Sequence, residues 1–178
     1  MKKLIFYAIV LIWLSACTEV VYKNPQPLNT GSLKTFPEEL RGAYESVNDD
    51  EKITITLGER YYSLREDDDE QIDGNISSDS ASLKYYKGYY FLSHKMDELP
   101  YWILRVAKVQ PDGTLSVLAI DADNHSIMDE LRNSLEVKRV EHDDEYDKFF
   151  LIEPTRKELI KLIEKKVFQE VYTFKKIN

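Results

Sequence analysis

One acidic stretch of the chain has the residue types that bind a hard cation. In the segment REDDDEQIDGNISSDS, the residues Asp69, Gln71, Asp73 and Gly74 follow the spacing of a calcium-binding loop, and Ca²⁺ prefers carboxylate and carbonyl oxygens. The same alignment places Ser80 where a bidentate glutamate is required. A run of like charges is also typical of a solvated hairpin loop. We therefore predict an acidic loop here and no metal site.

The histidines and hydroxyl residues do not form a catalytic pattern. His94, His125 and His142 lack the spacing of metal ligands on one helix or turn. Ser93 and His94 are neighbours, and neighbours in a strand point to opposite faces, so they make a poor nucleophile–base pair. The chain has no Gly-x-Ser-x-Gly, no His-Glu-x-x-His and no phosphate-binding glycine loop. Scattered carboxylates can still act as acids and bases, so a hydrolase stays an alternative to the non-enzymatic, cofactor-free protein with a binding or structural role that we predict.

A group of aromatic residues is the most suggestive feature for binding. It consists of Tyr85, Tyr86, Tyr89, Tyr90, Phe91, Tyr101 and Trp102. Such residues line pockets for apolar or ring-shaped ligands and form protein-docking faces. Aromatic residues also favour strands and fill both sides of a curved sheet. We favour this packing interpretation and keep the ligand or partner face as the alternative.

The only cysteine, Cys17, ends a segment with the three parts of an export signal. Two lysines are followed by the apolar letters LIFYAIVLIWLSA and by small residues. The apolar part is shorter than the about 20 residues that span a bilayer. Leu14-Ser15-Ala16-Cys17 resembles the lipobox of bacterial lipoproteins. The resemblance implies that Cys17 carries a diacylglycerol, that residues 1–16 are removed as a signal peptide, and that further acylation anchors the chain, since two or more acyl chains bind a membrane stably.

Two further features, the residue after the cysteine and the net charge, bear on the predicted cellular location and on the predicted partners. Thr18 is not the aspartate that the lipoprotein resemblance associates with inner-membrane retention, so the outer membrane is favoured if the bacterium has two membranes. Cleavage removes Lys2 and Lys3 and no acid, which changes the net charge from −8 to −10. An acidic surface disfavours nucleic acid and anionic lipid as partners. The remaining partners are the membrane, through the N-terminal lipid, and either an envelope protein or a small apolar ligand.

The rest of the chain predicts a short tether and one domain. Residues 17–33 contain prolines, asparagines and a glycine with little periodicity, which favours a flexible tether after the lipidated cysteine. Residues 34–178 are predicted to form a single globular domain. Gly42-Ala43-Tyr44 resembles the Gly-x-Trp motif at the start of lipocalin-like barrels, with tyrosine in place of tryptophan. This resemblance implies a calycin-type barrel and keeps a carrier of a small lipophilic ligand as an alternative function.

Three hairpins and two helices follow from periodicity and turn residues. We predict a turn at Gly58-Glu59, which pairs Ile55 with Tyr62 and Ile53 with Leu64. A second turn at Lys87-Gly88 pairs Tyr85 with Tyr90 and Leu83 with Leu92. A third turn is predicted at Pro111-Asp112-Gly113. Residues 126–135 predict a helix capped by Ser126. Thr155 and Glu158 form a capping box before an apolar helical stripe. KFFLIEP and VYTF predict strands. The predicted fold is α+β, a curved antiparallel β-meander or partial barrel with two helices late in the chain.

Overall fold

The structure is a computed structural model that describes residues 18–47, 52–66, 70–97, 99–140 and 148–177. In these ranges the chain forms twelve strands, two α-helices and a single 3₁₀ turn at Glu38–Leu40. The strands are β1 Thr18–Tyr22, β2 Gly42–Ser46, β3 Ile53–Leu57, β4 Tyr61–Glu66, β5 Glu70–Asn75, β6 Ala81–Tyr86, β7 Tyr89–Lys95, β8 Trp102–Val109, β9 Leu115–Ala119, β10 Lys138–Val140, β11 Lys148–Leu151 and β12 Gln169–Ile177. The helices are α1 His125–Ser134 and α2 Arg156–Glu164. The predicted α+β class with two late helices is confirmed.

All strands belong to one branched sheet. The order is β10-β11-β1-β8-β9-β12-β2-β3-β4-β5, and β6 and β7 join through β8. Strand β7 pairs with residues Trp102–Ala107 of β8 and occupies one edge of that strand. On the other edge of β8, β1 pairs with Trp102 and Ile103, and β9 pairs with Val106 and the residues after it. Every pairing is antiparallel except that of β1 with β11. The branch divides the molecule into a meander and a smaller β10-β11-β1 arm.

The meander curls until its ends meet. Strands β4 and β7 are six strand spacings apart along the sheet, about 29 Å if the sheet were flat at about 4.8 Å per strand. The hydroxyl oxygen of Tyr62 in β4 nevertheless lies 2.7 Å from Nδ1 of His94 in β7. Residues 32–41 cover the remaining gap, because Leu33 N–H donates to Leu83 C=O and Phe36 N–H donates to Glu59 C=O. The sheet is therefore a partial barrel whose gap is covered by a loop.

Side chains fill the concave side of this curled sheet. The buried residues there are Phe36, Leu40, Tyr44, Ile53, Leu57, Tyr62, Ile76, Ala81, Leu83, Tyr90, Leu115 and Phe174. Tyr44 and Tyr90 place their hydroxyls on the 3₁₀ turn, since Tyr44 donates to Leu40 C=O at 2.9 Å and Tyr90 donates to Glu39 Oε1 at 2.6 Å. The loop that covers the gap is thus fixed from inside the barrel.

A second core lies between the convex side of the sheet and the two helices. Residues of α1 and α2 such as Met128, Leu131 and Leu159 pack with Phe91 and Val106 of the sheet. The hydroxyl of Thr155 accepts from Glu158 N–H while the Glu158 carboxylate accepts from Thr155 N–H, so the predicted capping box is confirmed. The cap of α1 is Asn124 and not Ser126, because the Asn124 side chain accepts from the N–H groups of Ser126 and Ile127.

The hairpin predictions hold except in one register. The β6–β7 hairpin pairs Tyr85 with Tyr90 and Leu83 with Leu92, as predicted, and the β8–β9 turn contains Gly113 at φ 85°. In the β3–β4 hairpin, Ile55 pairs with Leu64 and Leu57 with Tyr62. The turn therefore lies one residue later than Gly58-Glu59, and the pairing shifts by two residues. A shift of two leaves every side chain on its predicted face.

The prediction of a flexible tether is wrong for the described part of residues 17–33. Thr18–Tyr22 is strand β1, and Val20, Val21 and Tyr22 are 2% exposed or less. The proline-containing segment after β1 also lies against the sheet, because Lys84 Nζ of β6 donates to Pro25 C=O at 2.7 Å and to Pro27 C=O at 3.0 Å. Cys17 itself lies outside the described residues.

The predicted acidic loop is also partly a strand. Glu70–Asn75 forms β5 and pairs with β4, so Asp73 and Gly74 are ladder residues opposite Ser63 and Tyr62. Asp69 lies outside the described residues. Strand β5 lies at the end of the strand order, so it is an edge strand among the described strands, and its Asp73 and Asn75 are exposed.

Candidate functional site

The aromatic residues that stand out in the sequence are divided among several cores. Tyr90 belongs to the concave core and its neighbour Phe91, which is 0% exposed, belongs to the convex core. Tyr85 is half-exposed and its ring centre lies 4.8 Å from that of Tyr90. Trp102 packs at the edge of the convex core, and Tyr101 packs with Val21 in a small core under the β1–β11 arm. These residues do not converge on one pocket.

Two members of the set, Tyr86 and Tyr89, do form a surface feature. They are cross-strand partners at the tip of the β6–β7 hairpin, and both rings pack partly against the convex core. Cations lie over both rings: Arg156 is 4.8 Å and Lys87 is 6.0 Å from the Tyr86 ring centre, and Lys108 Nζ is 5.5 Å from that of Tyr89. Such contacts hold a cation over an aromatic face. Tyr89 and Lys108 continue this feature into a groove.

This groove lies between the β8–β9 hairpin and the end of α2, and we call it the hairpin–helix groove. It is open to solvent and has a volume of about 510 Å³. Its apolar lining comes from Leu118, Ile163 and Phe168, the last two of which are buried. Its polar lining is Lys108, Gln110, Ser116, Lys166, Gln169 and Glu170, with Tyr89 at one end. An apolar surface combined with a few placed polar groups is the usual composition of a ligand site.

A chain of hydrogen bonds fixes the polar side of the groove. Gln110 Nε2 donates to Ser116 Oγ at 2.9 Å, Ser116 donates to the Glu170 carboxylate, and Thr173 Oγ1 donates to Glu170 Oε1 at 2.7 Å. Ser116 is 2% exposed. The hydroxyls of Ser116 and Thr173 lower the pKa of Glu170, so this carboxylate is held ionised. The groove therefore contains one preoriented negative acceptor.

A β-bulge makes this arrangement possible. The pairing of β12 with β9 shifts between Glu170 and Tyr172. In a regular strand, residues three apart such as Glu170 and Thr173 would face opposite sides. The extra residue in the bulge puts both on the outer face, where Glu170 is opposite Leu118 and Thr173 is opposite Ser116. The bulge thus aims Glu170 into the groove.

Lys166 reaches the groove through the end of α2. Val167 N–H donates to Leu162 C=O and Lys166 N–H donates to Ile163 C=O, which is the pair of bonds that defines a Schellman motif. Lys166 takes the left-handed position with φ 59°, where glycine is usual. The backbone therefore presents a lysine, rather than a glycine, to the groove.

The cations of this region have no carboxylate partner among the described residues. Lys87, Lys108, Arg156 and Lys166 are absent from the ion pairs formed within those ranges. This is notable in a chain of 32 acidic and 24 basic residues. By contrast, Arg105 binds Glu19 through two hydrogen bonds and ties β1 to β8. The groove edge is thus a positive area on an acidic protein.

The sequence reasoning identified Tyr89 and missed the other groove residues. The alternation in Ala107-Lys108-Val109-Gln110 places Lys108 of β8 and Gln110, the residue after β8, on one face, so the polar alternation alone indicates these two residues. Glu170 and Lys166 depend on a bulge and on a helix end, which the local pattern does not reveal.

The histidines do not build a second site of comparable kind in the described residues. Tyr62 is 8% exposed, burial raises the pKa of its hydroxyl, and that hydroxyl shares a hydrogen bond with His94 inside the barrel. Ser93 Oγ instead accepts from Gln26 N–H at 3.0 Å. His125 is the first residue of α1, and His142 lies outside the described residues. No three His, Cys, Asp or Glu side chains gather as a metal site within the described ranges.

Comparisons with known proteins give no family and no relative for this chain. The chain matches no family model, no curated protein and no solved structure. None of the helices in the described ranges has the length and apolar content needed to cross a bilayer.

Proposed function

We propose that this protein is a membrane-anchored bacterial lipoprotein with a non-enzymatic binding role in the cell envelope. The hairpin–helix groove carries the proposal, because it combines an apolar surface, a preoriented carboxylate and two lysines that form no ion pair with any described residue. The lipobox-like Leu14-Ser15-Ala16-Cys17 supports the anchor. On this proposal the groove binds another envelope component while acyl chains on Cys17 hold the domain at the membrane.

The position of β1 limits how far the domain can lie from a lipid anchor on Cys17. Strand β1 begins at Thr18, and consecutive Cα atoms are about 3.8 Å apart, so an acylated Cys17 adjoins the sheet directly. A domain attached in this way stays close to the bilayer, whereas a flexible tether would let it range over tens of ångströms. The groove would then present itself to partners at the membrane surface.

The filled barrel favours this role over that of a lipocalin-like carrier. A carrier needs an interior cavity for its ligand, and here the concave side holds large buried side chains that include Phe36, Tyr44 and Phe174. The groove also favours binding over hydrolysis. The lowered pKa of Glu170 makes its carboxylate a weak base near neutral pH, whereas a general base works best with a pKa near the working pH.

The experiment that tests the anchor is metabolic labelling of cells with an alkyne fatty acid. We expect label on the wild-type polypeptide and none on Cys17→Ser, with the wild type in the membrane fraction. An unlabelled wild-type chain would overturn the lipoprotein proposal.

The binding role is tested separately by chemical crosslinking in intact cells. We compare the wild type with a Lys108→Ala/Lys166→Gly variant, since both proteins keep the anchor. A crosslinked envelope component that disappears in the variant supports the groove. Crosslinks that are equal in the two proteins would show that the groove is not the binding site.

A further inference from the structure

The partner chemistry that fits the hairpin–helix groove is more specific than a general docking role. We propose that the groove binds a short extended peptide segment of a partner protein, one in which carboxylate side chains alternate with apolar side chains. This inference rests on the proposed binding function and names the class of its ligand.

Charge complementarity gives the first part of the argument. Lys108 and Lys166 line the groove, and within the described residues neither has an ion-pair partner. Lys87 and Arg156 extend the positive area over Tyr86. The protein as a whole has a net charge of −8, so it repels an acidic partner at long range, and a local positive area such as this one favours the docking of that partner here. The groove therefore selects the position of an anionic ligand.

The apolar lining indicates what accompanies the carboxylates. The apolar surface of the groove comes from Leu118, which is partly exposed, and from the small exposed parts of Ile163 and Phe168, and covering this surface with apolar groups is favourable. Side chains of an extended peptide point alternately to opposite sides. A segment that alternates acidic and apolar residues, with neighbouring side chains directed to opposite walls, can place its apolar groups on this lining and its carboxylates toward the lysines.

The fixed polar groups match a peptide backbone. Glu170 is an ionised acceptor held by Ser116 and Thr173, so it can accept from a backbone N–H of the ligand. Gln110 donates through its amide nitrogen to Ser116, and its carbonyl oxygen is a second acceptor for N–H groups. Phosphate-rich ligands lack such backbone N–H donors.

The test measures binding of peptides to the mature, lipidated protein in detergent by isothermal titration calorimetry. The probe is a mixed-sequence hexapeptide, acetyl-Ala-Asp-Φ-Asp-Φ-Ala-amide, where Φ is Leu, Ile or Phe. The matched control peptide has Asn in place of each Asp, and a tetrameric uronic acid oligosaccharide serves as the acidic ligand that is not a peptide. We expect the Asp peptides to bind at least about fivefold more tightly than the Asn peptides, and the affinity to fall as salt is raised.

Two protein variants locate the site. Lys108→Ala/Lys166→Gly is expected to weaken Asp-peptide binding by about tenfold, because two partly exposed ion pairs are lost. Lys157→Ala is the matched control, since Lys157 is exposed on α2 and does not line the groove. This control is expected to bind as the wild type does.

Each contrary outcome overturns a defined part of the proposal. Equal binding of the Asp and Asn peptides removes the role of charge, and equal weakening by Lys157→Ala shows adhesion that is not specific to the groove. Tighter binding of the oligosaccharide than of any peptide replaces the peptide with an acidic glycan. If no peptide binds but the in-cell crosslinks still disappear in the Lys108→Ala/Lys166→Gly variant, the ligand class is overturned and the proposed binding function is still supported.

Discussion

Gly74 lies directly opposite Tyr62 in the β4–β5 ladder, and the Tyr62 ring occupies the space that a side chain at position 74 would take. A Cβ atom there would lie 2.1 Å from Cζ of the ring. The hydroxyl of the same ring contacts His94 across the barrel interior. A single absent side chain thus permits the contact that joins the two ends of the curled meander.

The first prediction concerns this position. Gly74→Ala should lower the free energy of unfolding by about 1–3 kcal/mol, because the Tyr62 ring must move and its hydrogen bond to His94 is broken. Urea denaturation measures the change. Gly31→Ala is the control, since nothing lies within 4 Å of a Cβ at Gly31. Equal effects of the two substitutions would contradict the importance of the close approach.

Which face a residue takes could be predicted from the sequence, but its partner often could not. Strand alternation places Tyr90 and Phe91 on opposite faces, and the structure buries them in different cores. That the Tyr90 hydroxyl meets Glu39 depends on how the loop before β2 crosses the barrel. The same limit applies to the groove, where Tyr89 was identified and Glu170 was not, because the bulge in β12 is a property of the β9–β12 pairing.

Among the elements, α2 shows a predictable start and an unpredicted end. Its capping box was visible in the sequence as Thr155 and Glu158. Its end has Lys166 in the left-handed conformation, which the sequence does not announce because glycine is the usual residue there. Retaining a lysine at this strained position is consistent with the proposed role of its charge in the groove.

The second prediction follows from that strain. Lys166→Gly should raise the free energy of unfolding by about 0.5–1 kcal/mol, because glycine adopts positive φ without the steric cost that a side chain incurs. Thermal or urea unfolding measures it. Lys161→Gly, in the interior of the same helix, should lower the stability by about 1 kcal/mol. A loss of stability in Lys166→Gly would show that the lysine side chain contributes more than the strain costs.

Hairpins with specific turn residues were predicted better than strands without them. Lys87-Gly88 and Pro111-Asp112-Gly113 set the correct registers of two hairpins, since each turn demands a defined backbone conformation. Strands β1, β2, β5 and β10 were not predicted. They are three to six residues long, and β5 and β10 are rich in charged and polar residues, so local propensity gives them little signal.

At the scale of the whole molecule, the buried tyrosines make the free energy of unfolding depend on pH in the alkaline range. Burial raises the pKa of Tyr22 and, with the Glu39 carboxylate nearby, that of Tyr90, far above the ordinary value near 10. Burial also raises the pKa of Tyr44 and Tyr62. Above about pH 10 the unfolded chain releases protons that the native protein keeps, so stability is lost as pH rises. Burial lowers the pKa of Lys84, which acts in the opposite direction, but it is one group against four.

The third prediction puts this pH dependence into numbers. The free energy of unfolding should be nearly constant between about pH 8 and 9.5 and then fall by about 1.4 kcal/mol per pH unit for each tyrosine that stays protonated in the native state. Urea unfolding at a series of pH values measures the slope. Tyr22→Phe should reduce the slope by one such increment. An unchanged slope in this variant would contradict the assignment to Tyr22.

The β1–β11 pairing joins two segments that are far apart in the chain and is the least predictable part of the fold. Thr18–Val21 lies beside Lys148–Leu151 in parallel register, although the two segments are far apart in sequence. Parallel pairing of distant segments leaves no local turn signal. The prolines and asparagines after Tyr22 therefore favoured a tether, whereas the structure makes β1 an internal strand between β8 and β11.

The fourth prediction tests this placement by truncation. A chain that starts at Leu33 should fail to fold cooperatively, because it loses Val20, Val21 and Tyr22 from the cores and leaves the facing edges of β8 and β11 unpaired. Burial of each such side chain contributes about 1.5–3 kcal/mol, and a domain has only about 5–15 kcal/mol of stability in total. A chain that starts at Thr18 is the control and should show a single sharp thermal transition by circular dichroism. A chain from Leu33 with the same transition temperature as the control would show that residues 18–32 are a tether after all.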